Sequence, residues 1–199
     1  MQFRLSALLP ALTVCFICSC GHQQTKIADV PDKKDEVKQF IPVTDIIQSE
    51  LNDIDSMPVT PLKIITLNGK DDSVWMTKKD IRIFASPFLV SRIDSDHLGK
   101  LFSEKSFFDQ TVNAYTFSYD PILSLPDSIT LKRWDVYIDP KTQNIQRIYI
   151  LKQKDSSGTT HTTQLTWKAN HWCSITYIDE KKGKSTAIRQ EKMIWNFND

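Results

Sequence analysis

At 199 residues the chain is long enough to bury a core of its own, and it fits one domain of ordinary size. Its 25 basic and 24 acidic side chains nearly cancel, which excludes the strongly basic footprint of a nucleic-acid-binding protein. Five glycines in the whole chain exclude glycine-rich phosphate loops and collagen-like repeats.

Residues 1–19 have the parts of a secretory signal: Arg4, an apolar run over Leu5–Ile17, and small Ser19 before a cleavage point. The run is shorter than the roughly 17 apolar residues a spanning helix needs, and Pro10 interrupts it. The tetrapeptide Ile17-Cys18-Ser19-Cys20 resembles the lipobox of bacterial lipoproteins. It departs from that pattern at Ile17, where Leu is usual, and at Cys18, where Ala, Ser or Thr is usual. The resemblance implies that Cys20 becomes the N-terminus, with a thioether-linked diacylglycerol and usually a third, amide-linked chain. Two or more chains anchor stably, whereas one binds membranes only marginally. An uncleaved anchor and ordinary cleavage without lipid are the competing readings. By likeness to enteric lipoproteins, Gly21 rather than Asp after Cys20 implies the outer membrane. The lack of acidic residues over 21–25 favours its periplasmic leaflet.

Removal of the leader takes away one charged side chain, Arg4, and leaves basic and acidic groups equal in number. It also takes away Cys15 and Cys18, so Cys173 is alone in the folded part and no internal disulfide can form there. Residues 20–42 are polar and charged, with a helical tendency near Lys33–Phe40, and read as a flexible tether. As a coil it would reach about 25 Å on average. A single domain is expected over 43–199.

Thr44 and Asp45 suit the start of a helix over Asp45–Ile54, with Ile46, Ile47, Leu51 and Ile54 at helical spacing. Pro58 and Pro61 stop it. Leu62–Leu67 and Asp72–Met76 flank Asn68-Gly69 and read as a hairpin. Thr77 with Asp80 has the shape of a capping box, and Ile81, Phe84, Ala85 and Phe88 give the following helix its apolar face. Pro87 is expected to end or kink it near Ser86. A shorter helix is expected around Leu98, Leu101 and Phe102.

From Thr111 the pattern turns to strands: Thr111–Tyr119, Ser128–Ile138, Ile145–Lys154, Thr160–Lys168, Trp172–Asp179 and Thr186–Phe197. Turn residues separate them, notably Asp139-Pro140, Ser157-Gly158, Ala169-Asn170 and Lys182-Gly183-Lys184. The expected fold class is α+β: N-terminal helices and a hairpin, then a curved antiparallel meander of about six strands.

Alternation gives each strand an apolar-aromatic face: Tyr115, Phe117 and Tyr119; Trp134, Val136 and Ile138; Leu165 and Trp167; Cys173, Ile175 and Tyr177; Met193, Trp195 and Phe197. Ile148–Leu151 is apolar on both sides. Such a face packs as core against the helices, or it lines an apolar groove in a half-barrel, as in envelope carriers of lipids. Under the second reading Tyr115, Phe117, Tyr149, Trp167 and Trp195 are the candidate ligand contacts.

Catalytic chemistry is thin. His22, His97, His161 and His171 form no metal-ligand spacing, and no nucleophile elbow or Ser-x-x-Lys appears, so no catalytic residue, metal or cofactor is assigned. Asp94, Asp96 and His97 read as a solvated helix start or as a loose cation site. Asp135 and Asp139 project on one face of a strand about 13 Å apart, too far for the carboxylate pair of a glycosidase. Asp135 suits a pair with Arg133 or Arg147. Cys173 reads as a buried small hydrophobe, and Lys181-Lys182-Gly183-Lys184 as a solvated hairpin turn.

Phe107–Thr111, Leu125–Ser128, Trp134–Tyr137 and Gln164–Trp167 resemble the body of small lipoproteins of the Bacteroidetes, a resemblance that implies no catalytic or binding residue. The sequence therefore predicts a lipid-anchored, non-enzymatic envelope protein that binds a protein or envelope component. The alternatives are a carrier or sensor of an apolar ligand and, more remotely, an envelope hydrolase centred on His97, Asp109 or His171. Membrane contact would run through the lipid on Cys20, with no nucleic acid partner.

Overall fold

Two helices and nine antiparallel strands make up the computed structural model, which describes residues 40–94 and 96–198. The leader, Cys20 and nearly all of the tether lie outside the described residues. The elements run α1 (Val43–Ser56), β1 (Leu62–Leu67), β2 (Lys70–Trp75), α2 (Lys78–Leu89), β3 (Phe102–Asp109), β4 (Ala114–Pro121), β5 (Leu131–Ile138), β6 (Ile145–Ser156), β7 (Thr159–Lys168), β8 (Trp172–Lys181) and β9 (Lys184–Ile194). All nine strands join one sheet in the order β2-β1-β9-β8-β7-β6-β5-β4-β3. The fold class is α+β, as expected, but the meander has seven strands rather than six, and the hairpin extends the same sheet beyond β9.

The extra strand is β3. Leu98–Phe102 was expected to form a helix, but only Gly99–Leu101 makes a 3-10 turn, and the chain then extends. Gly99 explains the turn. A Cβ there would lie 2.3 Å from the Asp94 carbonyl oxygen and 2.8 Å from the Phe40 ring. Pro87 does not end α2 at Ser86 either, because the helix continues to Leu89. Phe88, fully buried, holds the last turn on the sheet, and the Lys152 ammonium donates to the Pro87 carbonyl at 2.6 Å.

Other local readings hold. The Asp80 carboxylate accepts from the Thr77 amide at 2.8 Å and from its hydroxyl at 2.6 Å, closing the start of α2. Asn68-Gly69, Ser157-Gly158 and Lys182-Gly183 are two-residue hairpin turns with positive φ at both positions. That conformation matches the right-handed twist of the flanking strands. Register shifts in the β5–β6 pair, between Leu131 and Arg133 and between Tyr137 and Ile138, and in β8–β9 between Tyr177 and Ile178, mark bulges that raise the local twist.

Both helices lie on one face of the sheet. Val43, Ile47, Leu51 and Ile54 of α1 and Ile81, Ala85 and Phe88 of α2 meet Tyr119, Trp134, Ile150, Leu165, Trp167, Cys173 and Met193 in one buried cluster. The Phe88 ring sits edge-on to Trp167 at 5.5 Å, and Trp167 packs on Trp195 at 5.1 Å. The opposite face carries no described helix.

Candidate functional site

The five residues expected to line an apolar groove do not come together. Trp167 and Trp195 are buried in the core under the helices. Phe117 is partly buried beside that core, whereas Tyr115 is 49% exposed and packs on Phe108 at 5.3 Å. Tyr149 points to the helix-free face, since Ile148 and Ile150 on either side of it are core residues.

The acid-base groups of the helix side are taken up in structural pairs. Glu50 of α1 accepts from the Trp167 indole at 2.7 Å and from the Asn170 amide, clamping α1 to the β7–β8 turn. Burial raises its pKa above the ordinary carboxylate value despite these bonds. Cys173 is fully buried, and desolvation, with the nearby Glu50 charge, pushes its thiol well up, which suits a small hydrophobe and not a nucleophile. Glu191 is held between Lys63 at 2.6 Å and Arg189 at 2.7 Å.

Of the remoter catalytic candidates, His97 and Asp109 are engaged in local turns, and neither lies beside His171 in a hydrogen bond or ion pair among the described residues. The Asp94 carboxylate accepts from the Asp96 and His97 amides and contacts His97 Nδ1 at 2.6 Å, closing a turn. The hydrogen bond from His97 is the main reason its pKa falls below the usual range. Asp109 caps the Thr111 amide, and the Asp139 carboxyl, held by the Thr142 and Lys141 amides and Gln146, drops to about 2. His161 pairs with Asp179 at 2.7 Å. Among the described residues no group of three or more His, Cys, Asp or Glu side chains could hold a metal.

Two cavities flank the α2–β3 connection. One, of about 120 Å³, is lined by Phe40, Val43, Asp45, Arg92, Asp94 and Trp134 at the start of α1. Arg92 there is tied to Asp45 and Asp94 at 3.4 and 3.3 Å. The other, about 500 Å³ and open, lies between Val90–Arg92, His97, Leu98 and Ser128–Leu131.

The helix-free face has a different character. The register places Phe107, Thr116, Tyr137 and Arg147 in one line across β3 to β6. That line continues without a break through Lys168, Trp172, Ile194, Leu62 and Trp75, and so reaches the opposite edge of the sheet. It crosses all nine strands, eight intervals of about 4.8 Å, or roughly 38 Å. The Arg147 guanidinium stacks on Tyr137 at 4.3 Å, and the Lys192 ammonium, one step inward, lies 4.2 Å from the Trp172 ring.

The next row inward holds Ser118, Asp135, Tyr149, Thr166, Ser174 and Lys192. Asp135 is 3% exposed and takes two bonds from Arg133 Nε at 2.9 and 3.0 Å, so the pair expected from sequence forms with Arg133 and not with Arg147. Burial, and then the Asp135 charge, raise the pKa values of Tyr137 and Tyr149. An open depression of about 440 Å³ lies here, between Arg133, Asp135, Tyr137, Arg147, Tyr149, Leu151 and Thr166. Thr116, 2% exposed, has a buried hydroxyl oxygen with no hydrogen-bond partner. Alternation marks these residues as the polar side of each strand, but only strand order and register bring them into line.

No family model, curated protein or solved structure matches the chain. No described helix is long and apolar enough to cross a membrane.

Proposed function

We propose that this chain is a lipid-anchored, non-enzymatic protein of the bacterial cell envelope, whose folded domain binds an envelope component on the helix-free face of its sheet. The observation that carries the reading is the contrast between the two faces. On the helix side the aromatic residues fill the core and the carboxylates are locked in structural pairs. On the other side aromatic rings and cations stand in a continuous line. Packed Trp167 and Trp195 favour surface binding over carriage of an apolar ligand in a half-barrel groove.

The anchor rests on Ile17-Cys18-Ser19-Cys20, and the outer membrane and its periplasmic leaflet on the residues just after Cys20. The test is purification of the full-length protein in mild detergent, with mass spectrometry of everything retained. The expected result is a chain that starts at Cys20 with a diacylglyceryl mass, together with a bound envelope component. An unmodified Cys20 would overturn the anchor, and extractable lipid held by the domain in place of a surface partner would favour the carrier reading.

A further inference from the structure

We infer that the aromatic and cationic line on the helix-free face binds a linear acidic polysaccharide, laid across the strands with its carboxylates on Arg147, Lys168 and Lys192 and its sugar rings against the edges of Tyr137 and Trp172 and on Trp75. The inference deepens the surface-binding reading above and rests on it.

Three observations converge. First, the shape is linear. One register line crosses every strand of the sheet and ends in exposed rings at both edges, Phe107 at 48% and Trp75 at 62% exposure. A long narrow ligand matches a line of roughly 38 Å better than a compact one does. Second, three cations of this face are free of ion pairs. Arg147, Lys168 and Lys192 have no carboxylate within ion-pair distance among the described residues, while Asp135 is buried and spent on Arg133, and Asp109, close enough to act on Tyr137, accepts from the Thr111 amide. Uncompensated cations beside rings select an anionic ligand. Arg147, already held over the Tyr137 ring, offers its planar fork to a carboxylate.

Third, the chemistry between the cations suits sugars. Rings with polar tips supply flat apolar platforms with a hydrogen-bonding edge. Thr166, between Tyr149 and Ser174 in the second row, supplies a neutral donor and acceptor there. The depression beside Arg147 and Tyr149 gives one ring of the chain a seat. A bare polyanion would use the cations and leave the rings idle. A neutral glycan would use the rings and leave three cations unpaired.

The test uses the full-length protein in detergent and three soluble polymers: polygalacturonate, with carboxylated rings; dextran, with neutral rings; and polyglutamate, with carboxylates and no rings. Binding is read by biolayer interferometry. Polygalacturonate should bind, more weakly as salt is added, and the other two should bind at least about tenfold less well. Lys168→Gln, Lys192→Gln and Trp172→Ala should each weaken it by about three- to tenfold, the size of losing one charge-assisted or stacking contact. Lys79→Gln, on α2 across the sheet, should leave it unchanged. Near-UV circular dichroism shows that each variant is folded.

Equal binding of polyglutamate or dextran overturns the inference, as does insensitivity to all three substitutions. If polygalacturonate fails, lysine acetylation of the protein with its retained envelope material separates the causes. A retained acidic protein that shields Lys168 and Lys192 overturns the polysaccharide and keeps the surface-binding reading. Unshielded lysines overturn both.

Discussion

Trimming Phe88 to alanine separates a packed core from a ligand groove on the helix side of the sheet. Phe88 is fully buried on the last turn of α2, with its ring edge-on to Trp167 at 5.5 Å. If that contact is core, Phe88→Ala removes the ring and leaves a void that the Trp167–Trp195 stack cannot fill without moving. Such truncations cost about 3–5 kcal/mol, against a total stability of about 5–15 kcal/mol for a domain. At about 2–4 °C per kcal/mol for a chain of this size, Tm should fall by roughly 6–20 °C. The control is Ile83→Ala on the same helix, where the side chain is 65% exposed and the expected change is within about 0.5 kcal/mol. Urea unfolding followed by tryptophan fluorescence and by far-UV circular dichroism measures both. A loss below about 1 kcal/mol for Phe88→Ala, or one equal to that of Ile83→Ala, would show that this face is loosely filled and return the apolar groove to consideration.

Glu50 should make stability depend on pH in an unusual direction. Its folded pKa lies above the unfolded value, so the native state holds the proton more tightly, and its contribution declines as pH rises from about 4.5 through the folded pKa. Glu50→Gln should therefore gain on the parent chain between pH 4 and pH 7 in urea titrations, and a constant difference would refute the assignment. Asp139 should behave in the opposite sense, because its pKa is depressed to about 2. The deficit of Asp139→Ala should be full above the ordinary carboxylate pKa and should shrink as pH falls towards 2, as followed by thermal melting. Gly99→Ala should cost more than Gly158→Ala, although only Gly158 has a positive φ, of 73°. An added Cβ at Gly158 meets nothing within 4 Å and strains only the backbone, by about 1–2 kcal/mol. At Gly99 it collides with the Asp94 carbonyl and with Phe40, so near-UV circular dichroism should report a displaced Phe40–Tyr119 pair.

What could be read from the sequence was local. The hairpin at Asn68-Gly69, the Thr77–Asp80 cap and the helix over 45–54 each depend on residues within one or two turns of one another; the first two stand where the pattern puts them, and the helix forms but starts at Val43, with Thr44 inside it donating to the Ser91 carbonyl rather than capping. β3 was missed because Phe102–Asp109 lacks alternation: as an edge strand it is exposed over Glu104–Phe108, and no core face imposes a period of two. Pro87 misled because tertiary packing of Phe88 outweighed the local cost of a proline. The aromatic residues split by an effect that periodicity alone cannot show. Trp167 and Tyr149 both sit on apolar stretches, but which face receives the helices is decided by contacts such as Glu50 with Trp167, 117 positions apart.

The sheet has two open edges, β2 and β3, and both are unsuited to taking up another strand. β2 carries Lys70, Asp71 and Asp72, and β3 carries Glu104 and Lys105, all exposed. Charges on edge strands block edge-to-edge pairing, since a partner strand would have to bring its backbone alongside them. A partner that paired as an added strand would need those edges. One that runs across the strands meets neither obstacle, because the register line passes over both edges at Phe107 and Trp75, beyond the charged stretches. Edge charge and the aromatic line thus act together: the first closes the β-addition route to partners, and the second leaves the broad face as the open one. Substituting Glu104 with threonine should on this account promote self-association through β3, visible by sedimentation, while leaving polysaccharide binding on the face within about threefold. Loss of that binding without self-association would mean that the edge, not the face, holds the ligand.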